Sequence, residues 1–353
     1  MDVDVTGSDP AANPFLAVPG AVPDTGRDAG TAWHYGDPLR EQRRLVAGTA
    51  VTDLSHRGVV RVTGPDRRNW LHSLTTQHLS GLEPGVSTES LVLSPHGHVE
   101  HDLHLVDDGD STWITVEPGT TDDLVGWLEK MRFLLRVEVH DETQRWAVVG
   151  TTGMPGGWAE PVSGAPPVWS DPWPAVAPGS VSYAVVPDAE HPGLGRAWHE
   201  VPVPRAELAG RLADVDLAGS WAAEALRVAA WRPRLGAETD HRTIPHEVDW
   251  LRTAVHLTKG CYRGQETVAR VHNLGRPPRR LVMLHLDGSE HILPEAGEPV
   301  LAGGARPVGR LTTAARHYEL GPVALALVKR SVPVDAVLTV GGLAAAQEVV
   351  VRP

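Results

Sequence analysis

Two periodicities alternate along this chain, separated by stretches that have neither. "GVVRVTG" (58–64) alternates apolar and polar positions and ends in glycine, the pattern of a half-buried strand. "PDRRNWLHSL" (65–74) opens with proline and spaces Trp70, Leu71 and Leu74 as one face of a helix. "TESLVLSPHGHVEHDLHLV" (88–106) predicts a hairpin turning at Pro95 to Gly97, and "STWITVEP" predicts another strand. "TTDDLVGWLEKMRFLL" starts with Thr and Asp and sets Leu124, Leu128 and Met131 at i, i+4 and i+7, which predicts an amphipathic helix. "RVEVHDE", "RWAVVGTTG" and "SVSYAVVP" read as strands, and "RAELAGRLA" and "SWAAEALRVAAW" as helices. From Arg279 onward, short strands such as "RRLVMLHLDG", "PVALALVKR" and "AQEVVVRP" lie between Gly and Pro turns and suggest a small antiparallel barrel. Residues 1–45 read as an irregular tail with one short helix at "PLREQRRLV". Residues 152–180 read as a loop or joint, and 232–251 as too irregular for one element.

A chain of 353 residues is too long for one comfortable core, so two or three domains are expected. No run of 18 apolar residues occurs, and the first twenty residues lack the basic start and apolar stretch of a signal peptide. A lone cysteine cannot form an internal disulfide, so a reducing, cytoplasmic location is the simplest reading. The formal net charge of -12 argues against direct binding of nucleic acid or of an acidic membrane by the whole protein. One segment runs the other way: Lys259, Arg263, Arg270, Arg276, Arg279 and Arg280 stand against Glu266 alone. That run is either a solvated face or an anion site.

The cysteine, Cys261, sits inside this basic run in "LTKGCYRGQE". "GQETVARVHNLG" fits a helix opening near Gln265 and closing at Gly275, which puts Cys261 just ahead of a helix N-terminus. The helix dipole, Lys259 and Arg263 would then all favour the thiolate. Gly260 and Gly264 would let the backbone turn tightly. The competing reading is a small residue filling a gap. One cysteine cannot by itself hold an iron–sulfur cluster or a structural zinc.

"KGCYRGQE" resembles the signature of the YgfZ-type folate-binding proteins, relatives of the glycine cleavage system T-protein, at Lys259, Gly260, Cys261, Tyr262, Gly264, Gln265 and Glu266. "VTDLSHRGVVRVTGPDRRNWLHSLTTQHLSGLEPG" (51–85) and "EALRVAAWRPRLGAETDHRTIPHE" (224–247) resemble two further blocks of that family. The resemblance implies an α+β, T-protein-like fold: two interwoven α+β domains and a C-terminal antiparallel β-barrel around a central channel for tetrahydrofolate. It divides the chain into a tail (1–45), a first folate-binding region (46–150), a second region ending in the cysteine motif (151–275) and the barrel (276–353). It implies an accessory role in maturing or repairing iron–sulfur enzymes, tRNA-modifying ones included, with those enzymes or cluster-assembly proteins as partners. A one-carbon transferase using tetrahydrofolate is the alternative. Cys261, Lys259 and Asp102 become the candidate catalytic residues. Asp102, Tyr262, Arg263, Gln265, Glu266 and Glu247 become the candidate folate contacts.

Three positions depart from the T-protein pattern. His101 stands where the first acid of an acidic pair is expected and Asp102 on the second; Ala229 and Trp231 stand where a ring-binding acid and a glycine are expected. Glu247 or Glu238 could replace that acid. On the predicted strand, His98, Glu100, Asp102 and His104 share one face, a donor set suited to zinc or iron. A polar face lining the channel is the simpler reading, and no metal site is assigned. Lys329 and Arg330 read as surface charges or as contacts for a ligand's glutamate tail.

Overall fold

The computed structural model describes residues 13–155, 158, 164–289, 292–304 and 306–353. Residues 1–12 of the expected tail and part of the 152–180 joint lie outside that set. Two five-stranded sheets and a closed six-stranded barrel organise the chain. One sheet is antiparallel and carries the predicted hairpin, Ser87–Leu93 and Val99–Asp107, with Ser111–Val116, Gly58–Thr63 and Glu138–Asp141 beside it. Helices Arg67–Leu74 and Thr121–Met131 cover this sheet and bury Trp70, Leu71, Leu124 and Leu128 against Val60, Leu103 and Leu105. The second helix has Asp122 and Asp123 in its first turn and Lys130 in its last, charges that suit its dipole. It stops at Met131, short of the predicted "RFLL". Phe133 there takes a left-handed backbone (φ 46) and is 87% exposed.

The other sheet takes its strands from far apart in sequence. Ala50–Asp53 pairs with Trp146–Thr151 on one edge and, in parallel, with Asp216–Ala218 on the other. Trp146–Thr151 also pairs with His199–Pro204. The sheet therefore interweaves the halves of the chain. The barrel closes through Arg279–Leu286, Pro299–Ala302, Arg306–His317, Gly321–Lys329, Leu338–Val340 and Leu343–Val349, around Val282, Leu284, Leu311, Ala326 and Leu338.

Two local expectations change, and one strand lies where none was expected. "SVSYAVVP" forms no strand: it contributes one bridge, Ala184 to Val351, and its Tyr183 amide donates to the buried carboxylate of Asp249. "RAELAGRLA" shortens to a 3-10 turn and a single α turn, Leu208–Arg211, with Pro204 before it and Gly210 within it. "HEVPVP" (199–204), where prolines speak against a strand, is one. Its neighbour Trp169–Ser170 reaches only His199 and Glu200, so Pro202 and Pro204 fall where the strand is an open edge and no amide is needed.

Candidate functional site: a central charged cleft and the cysteine loop

The hairpin register decides what faces inward. Leu91 lies opposite Asp102 and Glu89 opposite His104, so Glu89, Asp102 and His104 share a face, all buried. His104 is held from both sides: Nδ1 is 3.0 Å from Glu200 Oε1 and Nε2 is 3.4 Å from Asp102 Oδ2. Its ring stacks on Trp169 at 3.8 Å and 2°. Burial disfavours an imidazolium here, but the carboxylates of Glu200 and Asp102 outweigh it and push His104 up to about 10. Burial raises Glu200, yet the Arg57 guanidinium and His104 hold it down at about 2. Asp102 is likewise held below the usual range, His104 and Arg232 overcoming burial. Glu89 goes the other way, to about 7, because burial and the neighbouring carboxylates of Asp102 and Asp171 outweigh Arg232.

Arginines from two segments thread through these acids. Arg57 reaches Glu117 (2.6 Å) and Glu200 (2.8 Å). Arg232 reaches Glu89 (2.7 Å) and Asp171 (3.1 Å). Arg234 reaches Asp28 (2.6 Å) and Glu117 (2.8 Å), and Arg227 reaches Glu224 (2.9 Å) and Glu238 (2.7 Å). Buried charges survive only with partners of this kind, since losing one leaves the other stranded in a dry site. The network walls a cleft with about 50 Å³ of free space. Asp28, Ser220 and Glu224 also line a wider cleft of about 540 Å³, which includes Arg27, Arg316 and a stacked pair, Trp33 and Trp221 at 4.7 Å. Inside the network, Asp102 Oδ1, Arg57 Nε and Arg232 Nη1 have no hydrogen-bond partner among the described residues.

The cysteine loop lies at the other end of the same hairpin. Gly264 (φ 82) packs so closely on the turn that an added Cβ would lie 2.5 Å from Ser94 O and 3.0 Å from Gly97 Cα. Gly260 has open space around it and carries no such demand. Cys261 is exposed. The two cations expected beside the thiol have other partners. Lys259 turns inward, where its ammonium donates to the carbonyls of His72, Thr75 (2.5 Å) and Gln77 (3.0 Å) at the end of helix Arg67–Leu74; burial pulls it down to about 7. Arg263 pairs with Glu100 at 2.7 Å and lies over the Trp127 ring. Tyr262 packs into the main core, Gln265 donates to the Lys259 carbonyl at 3.3 Å, and Glu266 faces solvent. The helix Gln265–Leu274 follows as expected.

Other candidates disperse. Glu247 is saturated by Arg279 (2.8 Å) and the Ile244 amide, and Glu238 by Arg227, the Arg234 amide, Thr312 and Thr313. Trp231 is buried with a left-handed backbone (φ 56) and donates to Met283 Sδ at 3.1 Å. Ala229 lines a separate cleft with Leu226 and Tyr318. The six basic residues from 259 to 280 do not converge: Arg276 reaches the Pro353 carbonyl, Arg279 reaches Asp240 and Glu247, and Arg280 is buried against the Val332 carbonyl. Lys329 and Arg330 are exposed. The His98–His104 face is split, with Glu100 outside on Arg263 and Asp102 and His104 inside. Glu89, Asp102 and His104 do bring one oxygen or nitrogen each to within 4.8 Å of one another, with the Arg232 guanidinium already supplying positive charge there. Glu89, Glu200, Arg57 and Arg232 were not singled out from sequence. The one available signal was a glutamate two residues ahead of the apolar run in "TESLVL", on the same strand.

Comparison with known proteins agrees with this architecture. A solved structure of the glycine cleavage system aminomethyltransferase T from Bartonella henselae superposes with a TM-score of 0.74 at 18% identity, covering 95% of this chain and 93% of that one. The fold is T-protein-like. Residues 31–155 match the GCVT N-terminal domain family. A putative chloroplastic transferase of Arabidopsis thaliana is 27% identical over 313 residues, 83% of this chain and 68% of the relative. An aminomethyltransferase of Corynebacterium jeikeium is 25% identical over 330 residues, 84% of this chain and 83% of the relative. Among the described residues, no helix is long and apolar enough to cross a membrane.

A T-protein-like fold raises the question of tetrahydrofolate, and the central cleft answers it in two parts. Its unpartnered groups, an acceptor on Asp102 and donors on Arg57 and Arg232, suit the mixed edge of a pterin. Ligand sites usually offer about 300–1,000 Å³, so the inner cleft alone is too small, whereas the adjoining one, at about 540 Å³, is in range.

Proposed function

We propose that this protein is a folate-binding accessory protein of the YgfZ type, serving the maturation or repair of iron–sulfur enzymes, tRNA-modifying ones included. One observation carries the folate reading: at the floor of the central cleft, Asp102 presents a buried carboxylate oxygen that no described residue satisfies. Bound tetrahydrofolate would supply a carrier for one-carbon units. Asp102, kept anionic by His104 and Arg232, accepts from the ligand's N–H groups; Arg57 and Arg232 donate; Trp169 holds the His104 ring in place. Cys261 serves the client side of the function, since it is exposed on an intact KGCYRGQE loop at the hairpin tip.

Calorimetric titration of tetrahydrofolate into the full chain tests the first part. Binding is expected, weakened about tenfold or more in Asp102→Asn, as befits loss of a hydrogen bond to a charged group. Absence of binding by the wild type would sink it. The second part is tested in cells lacking the protein, by the activity of a cluster-dependent tRNA-modifying enzyme. Wild type should restore that activity and Cys261→Ser should not; equal rescue removes Cys261 from the function.

A second reading, a tetrahydrofolate-dependent transferase of methyl or aminomethyl groups, is favoured by the names of the relatives, which are transferases. It predicts turnover of a methylated or aminomethylated donor with tetrahydrofolate, abolished in Asp102→Asn. No turnover across a panel of such donors counts against it.

A further inference from the structure

Glu89 belongs to no motif, yet the fold seats it diagonally across the strand pair from Asp102, on the same buried face. A carboxylate oxygen of each lies within 4.8 Å of the other, and of a ring nitrogen of His104. Two carboxylates so close in a site closed to water repel strongly unless a proton or a cation intervenes.

The groups packed around the pair decide between these. Arg232 is 2.7 Å from Glu89, but its guanidinium is shared with Asp171 at 3.1 Å. His104 is shared between Asp102 and Glu200. Neither cation belongs wholly to the pair. The Thr253 hydroxyl donates to Glu89 Oε2, which leaves Oε1 as the oxygen on the Arg232 side. A divalent ion bound by the same atoms would sit against both the guanidinium and the imidazolium. A proton on one of the two carboxyl groups meets no such repulsion and removes the repulsion between them.

The geometry points to Glu89 as a carboxylic acid that keeps its proton and donates it in a hydrogen bond to Asp102, so that Asp102 stays the anionic acceptor of the central cleft. The balance is simple: one proton lies on two carboxyl groups, bonded to Glu89 and shared towards Asp102. Glu89 is thus a positioning residue. The proton stands on the geometry alone; its use in ligand binding rests on the folate reading given above.

Infrared spectroscopy of the full-length, ligand-free protein, with glutamate carboxyls labelled with carbon-13, tests the proton directly. The C=O stretch of a buried carboxylic acid is expected, shifted by the label, titrating away as pH rises through about 7, and absent from Glu89→Gln. No acid band in the wild type, or a band that persists in Glu89→Gln, overturns the proposal. Tetrahydrofolate titration is the second readout. Affinity in the wild type should fall as pH rises through the same range, because ionised Glu89 competes with Asp102. Glu89→Gln, whose amide still donates, should bind without that pH dependence, and Glu89→Ala should bind about five- to tenfold more weakly. An unchanged pH profile in Glu89→Gln overturns the positioning role. Failure of the wild type to bind tetrahydrofolate counts against folate alone, and the infrared band then decides Glu89 by itself.

Discussion

The two ends of one hairpin make opposite kinds of site. At the tip, the cysteine loop is a contiguous motif, exposed at Cys261, with its cations committed to structural partners: Lys259 to three carbonyls and Arg263 to Glu100. Two pleats further in, Asp102 and His104 join a buried network drawn from segments as far apart as Arg57 and Arg234. At the tip, neither flanking cation is free to serve the thiol. The cleft holds groups pushed far from their ordinary acidities in both directions, a common property of functional sites. A recognisable motif and a tuned site are therefore different things in this molecule, joined by the strand Val99–Asp107.

The sharpest way to break this comparison is to strand a charge in the cleft. Asp171→Ala leaves the largely buried Arg196 side chain without its carboxylate and Arg232 with Glu89 alone, and should cost about 3–5 kcal/mol in denaturant unfolding. A loss no larger than a surface substitution gives would mean the network is solvated. Next is pH. His104 is raised above its ordinary value, so its contribution to stability is fully present below about 6.5 and is lost as pH rises towards about 10. Unfolding free energy of the wild type should fall across that window, and His104→Gln should lack that part of the fall.

The tip gives smaller effects. Lys259→Met leaves the carbonyls of His72, Thr75 and Gln77 without their donor and should cost roughly 1–3 kcal/mol, while the alkylation rate of Cys261 by a neutral thiol reagent stays unchanged. A slower alkylation would return Lys259 to the role of thiol activator. Gly264→Ala forces a Cβ onto the Ser94 carbonyl in a left-handed backbone and should cost about 1–3 kcal/mol in thermal melts. Smallest is Cys261→Ser, within about 0.5 kcal/mol of wild type, as befits an exposed residue whose worth is chemical.

Sequence periodicity located the hairpin, the two sheet-covering helices, the helix after the cysteine and the barrel strands, because each signal lies within a dozen residues. Asp102 was singled out by the family resemblance, and the cysteine loop by its lone thiol together with that resemblance. Periodicity misjudged "SVSYAVVP", whose backbone is claimed by Asp249, and passed over "HEVPVP", whose prolines are harmless only because its neighbouring strand stops short. Local pattern carries no record of which partner a strand will meet.

For the site the division is the same. The sequence by itself determined that Cys261 stands alone, that Gly264 follows it and that Asp102 and His104 share a face of a strand. Only the tertiary structure decided that Lys259 caps a helix end, that Glu247 is spent on Arg279, and that Glu89 and Arg232 meet Asp102 in a dry cleft. Charge pairing and desolvation act through space, between residues whose separation along the chain says nothing about their distance, and it is those two terms that set the acidities on which the proposed chemistry depends.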